Sequence, residues 1–355
     1  MPETPHDEVL RALDPVFGDR ITRAPIRRGE QGNEVPLATA SPTSVEEVEL
    51  LAKTAGPYSI PLVAQGAGTG PETGTVEGSI LVRFDLMRGM RLPEHEEPWV
   101  EAEPGATWLE LDDNLRVRGR GLAVYPTSAP RATVGGWLAT DGIGVGSFEY
   151  GRLYENVLSA SVVERGGGLR EIGGEELGYF FGPGRARGVV VGARLRTRRR
   201  GEDRVFAVAF EDARDLAGAV GDLVSSDAPL WHLAFVSPVM AAARGLRASF
   251  LLFGVYPNWK DEEAWWELRR RVIKTHGGTE LDAREAGRVW GERFFPVAPG
   301  HATPEAAREF VPLADLPQML NDASPGDALQ GTISRSGEAL LLTLGADDGE
   351  EGLEP

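Results

Sequence analysis

The chain has 355 residues, 41% of them hydrophobic and 26% charged, with a formal net charge of -17 at pH 7. Such a length and apolar share suit two packed domains and exclude general disorder, while the negative surplus argues against a nucleic-acid phosphate backbone as partner. No cysteine is present, which removes thiol nucleophiles, cysteine metal sites, disulfides and cysteinyl attachment of a cofactor.

The opening MPETPHDEVLRALDP is acidic and holds no apolar segment of signal-peptide length, and no later run approaches a membrane span. A cytoplasmic protein with no membrane span is therefore expected. Val9, Leu10 and Leu13 recur at helical spacing and predict a helix over Asp7 to Phe17. Leu37 to Ala40 reads as a strand, and a helix follows, started by a Thr43 or Ser44 cap with Glu46 and Glu47 in its first turn and stopped by Gly56 and Pro57. Ile60 to Val63 reads as a short strand, as do Ser79 to Asp85 and Trp99 to Ala102. Over TWLELDDNLRVRG, Trp108, Leu111 and Leu115 fall on one helix face, and Gly119 and Gly121 end it.

Two stretches stand apart. Val63 to Gly74 (VAQGAGTGPETG) follows a strand, and Tyr125 to Gly151 (YPTSAPRATVGGWLATDGIGVGSFEYG) is long, Gly-rich and almost free of charge. Glycine costs conformational entropy and offers no side chain to pack, so such bare spans point to a backbone that approaches something closely. Gly66, Gly68 and Gly70 free N–H groups to turn inward and Thr69 adds a hydroxyl, a combination suited to phosphate or pyrophosphate. Two such cradles suggest one large ligand. A Walker loop is excluded because no lysine lies near GAGTG, and a Rossmann fingerprint because Pro71 follows Gly70 at once.

Beyond them, Asn156 to Glu164 and Gly188 to Leu195 are β-branched runs, and the cluster TRRR at 197 to 200 reads as a solvated linker at the edge of a first domain. From Arg204 onward, strands Val205 to Phe210, Leu230 to Val236 and Ser249 to Val255 alternate with helices Ala213 to Val224 and Glu262 to Thr275, an order that suggests a ferredoxin-like arrangement. The tail from Ala346 is acidic and expected to be disordered.

The blocks SPTSVEEVELLAKTA, IPLVAQGAGTG, PTSAPRATVGGWLATDGIG, FEYG and GVVVGARLR, in that order, resemble the FAD-binding domain of the vanillyl-alcohol oxidase and p-cresol methylhydroxylase (PCMH) flavoproteins. Within that superfamily the pattern is similar to glycolate oxidase FAD subunits, D-lactate dehydrogenases and alkyl-dihydroxyacetonephosphate synthases. The resemblance implies an α+β fold: a two-subdomain PCMH-type FAD-binding domain over 1–200, a small ferredoxin-like α+β cap domain over 201–345 that holds the substrate, and an acidic tail over 346–355. It further implies FAD, with Ala64, Gln65, Gly66, Ala67, Gly68, Thr69 and Gly70 around the pyrophosphate. Pro126, Thr127, Ser128, Ala132, Thr133, Gly135 and Gly136 would line the flavin and diphosphate. Thr140, Asp141, Gly142, Ile143, Gly146, Ser147, Tyr150 and Gly151 would close the far side, and Gly184, Gly188, Val189 and Val190 would supply a backbone edge.

The implied activity is oxidation of a small 2-hydroxy acid, such as glycolate or D-lactate, by hydride transfer to FAD. No histidine stands in or beside QGAGTG, so the cofactor is expected to be noncovalent, and no second redox motif exists, so electrons would pass to an acceptor protein or quinone. Glu280 to Phe295 resembles the helix that carries Trp and Arg near the substrate, which makes Arg293 the candidate carboxylate anchor, a planar fork suited to two bonds. His301, in the loop APGHATP, is the histidine freest to act; His232 in LWHLAF reads as a core histidine and His276 as a helix-end residue. Trp259, Trp265 and Trp266 read as core. Where relatives carry a His-x-Gly-Asp-Gly-Asn-x-His stretch that helps hold substrate, sometimes with a metal, this chain reads QGTISRSGEALLL. That departure keeps a second expectation open, a flavin-carrying but catalytically weak subunit of a larger oxidase complex. A third, a carbohydrate or nucleotide binder without flavin, would leave the protein colourless.

Overall fold

The computed structural model describes residues 4–23, 36–68, 76–93, 97–182, 185–258, 262–295, 307–323 and 326–344. The expectations placed on Thr69, Gly70, Gly184, Trp259, His301 and the acidic tail fall outside these residues. The chain divides into two compact units: the first takes the described residues up to Gly142 and Leu153–Arg199, the second takes Ile143–Arg152 and those from Arg200 onward.

The first unit opens with α1 (Pro5–Phe17), started by a reciprocal cap between Thr4 and Asp7 and burying Val9, Leu10, Leu13 and Phe17. Strands β1 (Ile21–Arg23), β2 (Ala38–Ala40), β3 (Leu62–Gln65) and β4 (Ile80–Arg83) form a sheet in the order β1-β2-β4-β3, with β2 and β3 both parallel to β4. Helix α2 (Val45–Ala55) makes the crossover from β2 to β3, and its Ser44 cap accepts from the Glu47 N–H. Ile60 is buried but precedes the strand, which starts at Leu62.

A second sheet is built from β5 (Met90–Arg91), β6 (Trp99–Ala102), β7 (Arg120–Leu122), β8 (Val157–Glu164), β9 (Leu169–Ile172) and, beyond a short antiparallel pair β10 (Phe181–Gly182) and β11 (Arg185–Ala186), β12 (Gly188–Arg199). Its order is β5-β6-β12-β8-β9, with β7 against the end of β12. Helix α3 (Trp108–Arg116) buries Trp108, Leu111 and Leu115, the face its spacing predicts. Short helices α4 (Val134–Leu138), α5 (Ser147–Tyr150) and α6 (Leu177–Phe180) lie between these strands in sequence. The core of α1, α2 and β4 extends to Val163, Val189 and Val191, so both sheets of this unit share it. The arginine cluster is not a solvated linker. Strand β7 pairs with Thr197, Arg198 and Arg199, and that pairing leaves Thr197 4% and Arg198 5% exposed.

In the second unit, β13 (Asp203–Phe210), α7 (Ala213–Val224), β14 (His232–Val236), α8 (Pro238–Ala243), β15 (Phe250–Pro257), α9 (Glu262–Thr275) and β16 (Thr279–Glu280) follow one another. They are succeeded by α10 (Ala283–Gly291), β17 (Ala307–Pro312), α11 (Leu316–Asp322), β18 (Ala328–Ile333) and β19 (Glu338–Leu344). The sheet runs β16-β13-β15-β14-β18-β19-β17. Its first four strands have the order and antiparallel pairing of a β-α-β-β-α-β split unit, and β18, β19 and β17 widen it. Alternation assigns the two faces. Phe206, Val208, Phe210, Leu233 and Phe235 pack with α7, α9 and α11, while Ala207, Ala209, Ala234, Val236 and Phe253 pack with α8 and α10.

Candidate cofactor site

Strand β3 delivers Ala64 and Gln65 to its C-terminal end, beside parallel β4, and the chain turns there through Gly66, Ala67 and Gly68, whose φ is 68°. Ligands of open parallel sheets collect at this end of the strands. A Cβ on Gly66 would lie 2.5 Å from Thr133 Oγ1 and 3.3 Å from Gly136 Cα, so the two bare stretches pass in contact and only glycine permits it. The two glycine stretches, expected to share one large ligand, thus meet within the first unit.

The second stretch is rigid where it arrives. Ala129 and Ala132 N–H groups donate to Pro126 and Ser128 carbonyls, holding Pro126, Thr127 and Ser128 in a closed turn. Thr133 then caps α4, its Oγ1 accepting from the Gly136 N–H at 3.3 Å. The Val134 and Gly135 N–H groups donate to Ala106 and Pro104 carbonyls at 2.8 and 2.9 Å, so α4 offers close backbone approach rather than open donors. Ala67 and Gly68 are different: among the described residues nothing accepts from their N–H groups. These unclaimed amides, the glycine backbones in contact and the uncharged run Gly66–Gly68 fit the diphosphate of a dinucleotide.

Thr140 donates to the Trp137 carbonyl at 3.2 Å, and Asp141, at a φ of 51°, accepts from the Tyr154 N–H at 3.2 Å. Leu153 N–H donates to the Gly142 carbonyl at 3.0 Å, closing a neck. Ile143, Gly146, Ser147, Tyr150 and Gly151 fall in the second unit, in whose core the neighbouring Phe148 is fully buried. The Ser147 hydroxyl accepts from the Gly144 N–H at 2.9 Å. Gly188, Val189 and Val190 pair with β8 on one side, whereas β6 joins β12 only from Ala193, which leaves the other backbone edge of this segment outside the sheet among the described residues. Arg187 lies over the Tyr179 ring at 4.0 Å.

In the second unit Arg293 follows α10, half-buried, its guanidinium 4.3 Å from the Trp290 ring and 4.1 Å from that of Phe294. His232 is 1% exposed, flanked by the rings of Trp231, Phe253 and Trp290, with no partner for Nδ1 among the described residues. Burial, with the Arg293 charge adding to it, pushes its pKa down to about 3, so the imidazole is neutral. His276 holds Asp222 at 2.9 Å, and Trp265 is buried while Trp266 is 44% exposed, so only the former is core. QGTISRSGEALLL forms the β18–β19 hairpin, with Ser334 and Ser336 hydroxyls 2.8 Å apart. Among the described residues no group of three or more His, Cys, Asp or Glu could hold a metal ion, and no helix is long and apolar enough to cross a membrane. Sequence reasoning missed Arg244 and Gln330, which bond around Arg293: Arg244 carries no motif, and Gln330 opens the QGTISRSGEALLL stretch but was not singled out within it.

Residues 36–173 match the FAD binding domain family. The chain is 26% identical over 317 residues to a probable mitochondrial D-lactate dehydrogenase of Danio rerio, covering 80% of this chain and 63% of that protein. An alkyldihydroxyacetonephosphate synthase superposes with a TM-score of 0.76 at 17% identity, over 96% of this chain and 80% of the other. A substrate-bound p-cresol methylhydroxylase does so with 0.74 at 14%, over 97% and 83%. Residues 36–173 are therefore an FAD binding domain, with FAD as its cofactor, and the chain has the fold seen in p-cresol methylhydroxylase.

Proposed function

We propose that the protein is an FAD-dependent oxidoreductase that oxidises the CH–OH group of a small 2-hydroxy acid and passes the electrons to an acceptor protein or quinone. The observation that carries this reading is the meeting of the two glycine stretches at Gly66 and Gly136 in a chain similar to a D-lactate dehydrogenase. When bound, FAD supplies the acceptor for the hydride. The chain's own residues have three tasks. Ala67 and Gly68 N–H groups hold the diphosphate, with Gly188 to Val190 offering a backbone edge. Arg293 grips the substrate carboxylate in a planar fork backed by Trp290, which keeps the charge partly desolvated and so stronger than in bulk water. His232 belongs to the same aromatic cluster and, with its pKa pushed far down by burial, stays uncharged at neutral pH.

Anaerobic mixing with a panel of 2-hydroxy acids tests the proposal. At least one should bleach the flavin, and Arg293→Met should raise the concentration needed by about a hundredfold, the worth of a charged, two-bond contact. Bleaching by none would favour the second reading, a flavin-carrying subunit of a larger oxidase. One observation speaks for that reading: β18–β19 carries serines where hydroxy-acid relatives carry the histidine stretch.

A further inference from the structure

The segment after α10 is held by two side chains from elsewhere in the unit, one at the end of a helix and one in a strand. Arg244, at the end of α8, donates from Nη1 to the Glu292 carbonyl at 2.7 Å and from Nη2 to the Phe294 carbonyl at 3.1 Å. The same Nη2 donates to Gln330 Oε1 at 2.7 Å, and Gln330 Nε2 donates to the Arg293 carbonyl between them at 2.8 Å. Gln330 is 1% exposed in β18, so its amide has one orientation that satisfies both ends.

Ordinary helix capping does not account for this. The end of α10 is closed by its own backbone, Glu292 N–H reaching the Arg288 carbonyl and Arg293 N–H the Trp290 carbonyl. The carbonyls that Arg244 and Gln330 take lie past the helix, one on each side of Arg293 and one on it. Fixing three successive peptide planes fixes the Cα–Cβ direction of Arg293 and lays its guanidinium on Trp290. Burial lowers the Arg244 pKa to about 10, which still leaves the guanidinium charged at neutral pH.

We propose that Arg244 and Gln330 are positioning residues that clamp the 292–294 backbone and thereby aim Arg293 at the carboxylate of a hydroxy-acid substrate. This rests on the reading of Arg293 given above.

The test uses the flavin-loaded protein with a bleaching hydroxy acid. Arg244→Lys keeps the charge but cannot fork, and Gln330→Leu removes the central donor. Each should raise KM about tenfold with kcat changed by less than about threefold, as expected for the loss of hydrogen bonds that serve binding. Amide exchange over 290–295 should quicken in both, while α9 keeps its protection. In an Arg293→Met background neither variant should raise KM further, because the two changes act through one group. Unchanged KM in both single variants, or a full additional rise in the Arg293→Met background, overturns the clamp. If Arg293→Met itself leaves KM unchanged, the anchor reading fails, and the proposal with it, whatever the exchange shows. Should Arg244→Lys fold poorly, Gln330→Leu carries the same comparison alone.

Discussion

At the scale of the residue, His232 shows what complete burial does to a titratable group. Its folded pKa is depressed from 6.5 to about 3, so the folded chain refuses a proton that the unfolded chain accepts. A depressed folded pKa contributes stability that is whole above pH 6.5 and is lost as pH falls toward 3. At pH 5 the loss amounts to about 2 kcal/mol relative to pH 7. Carboxylates titrate lower in the same range, so the measurement is a difference: His232→Phe should unfold with a pH dependence between 7 and 5 that is flatter by that amount. Equal slopes for both proteins would show that His232 is not the proton acceptor. The sequence expects a core histidine here, from its place in LWHLAF. Its unpartnered Nδ1 and the nearness of Arg293 could not be read there, because Trp290 and Arg293 come from a segment more than fifty positions away.

At the scale of the element, the N-terminal loop after β3 and the loop leading into α4 form one backbone surface. Alanine at Gly66 would place a Cβ 2.5 Å from Thr133 Oγ1, so Gly66→Ala should part the two stretches and lower flavin retention by at least about tenfold. Flavin absorbance per chain after gel filtration checks this, with Gly68 left intact as the neighbouring turn; full retention would remove the two-stretch cradle. This element was legible because low charge and glycine spacing are local signals. So was α3, whose Trp108, Leu111 and Leu115 repeat every three or four residues. Strand β12 beyond Leu195 was not. Thr197, Arg198 and Arg199 are polar, and what buries them is pairing with β7, a partner that local spacing cannot announce. The widening of the second sheet by β17, β18 and β19 escaped for the same reason, since the chain meets β17 only after α10, and β18 and β19 only after α11.

At the scale of the whole molecule, linear order and spatial order part company at one place. The chain leaves the first unit at Gly142, spends Ile143–Arg152 in the second, and returns at Leu153. Phe148 lies in the core built by α7, α9 and α11, Arg152 holds Glu338 at 3.0 Å, and Glu149 N–H donates to the Trp231 carbonyl at 3.3 Å. A gene severed at codon 200 would therefore yield two misfits. The downstream product would lack its borrowed phenylalanine, a vacancy worth about 3–5 kcal/mol, and the upstream product would display that ring to water. Expressed separately, each should bind a hydrophobic dye and precipitate; tidy, soluble halves would mean that this small loan between units is dispensable. Shuffling the substrate-side half between relatives would succeed only if the decapeptide travels with it.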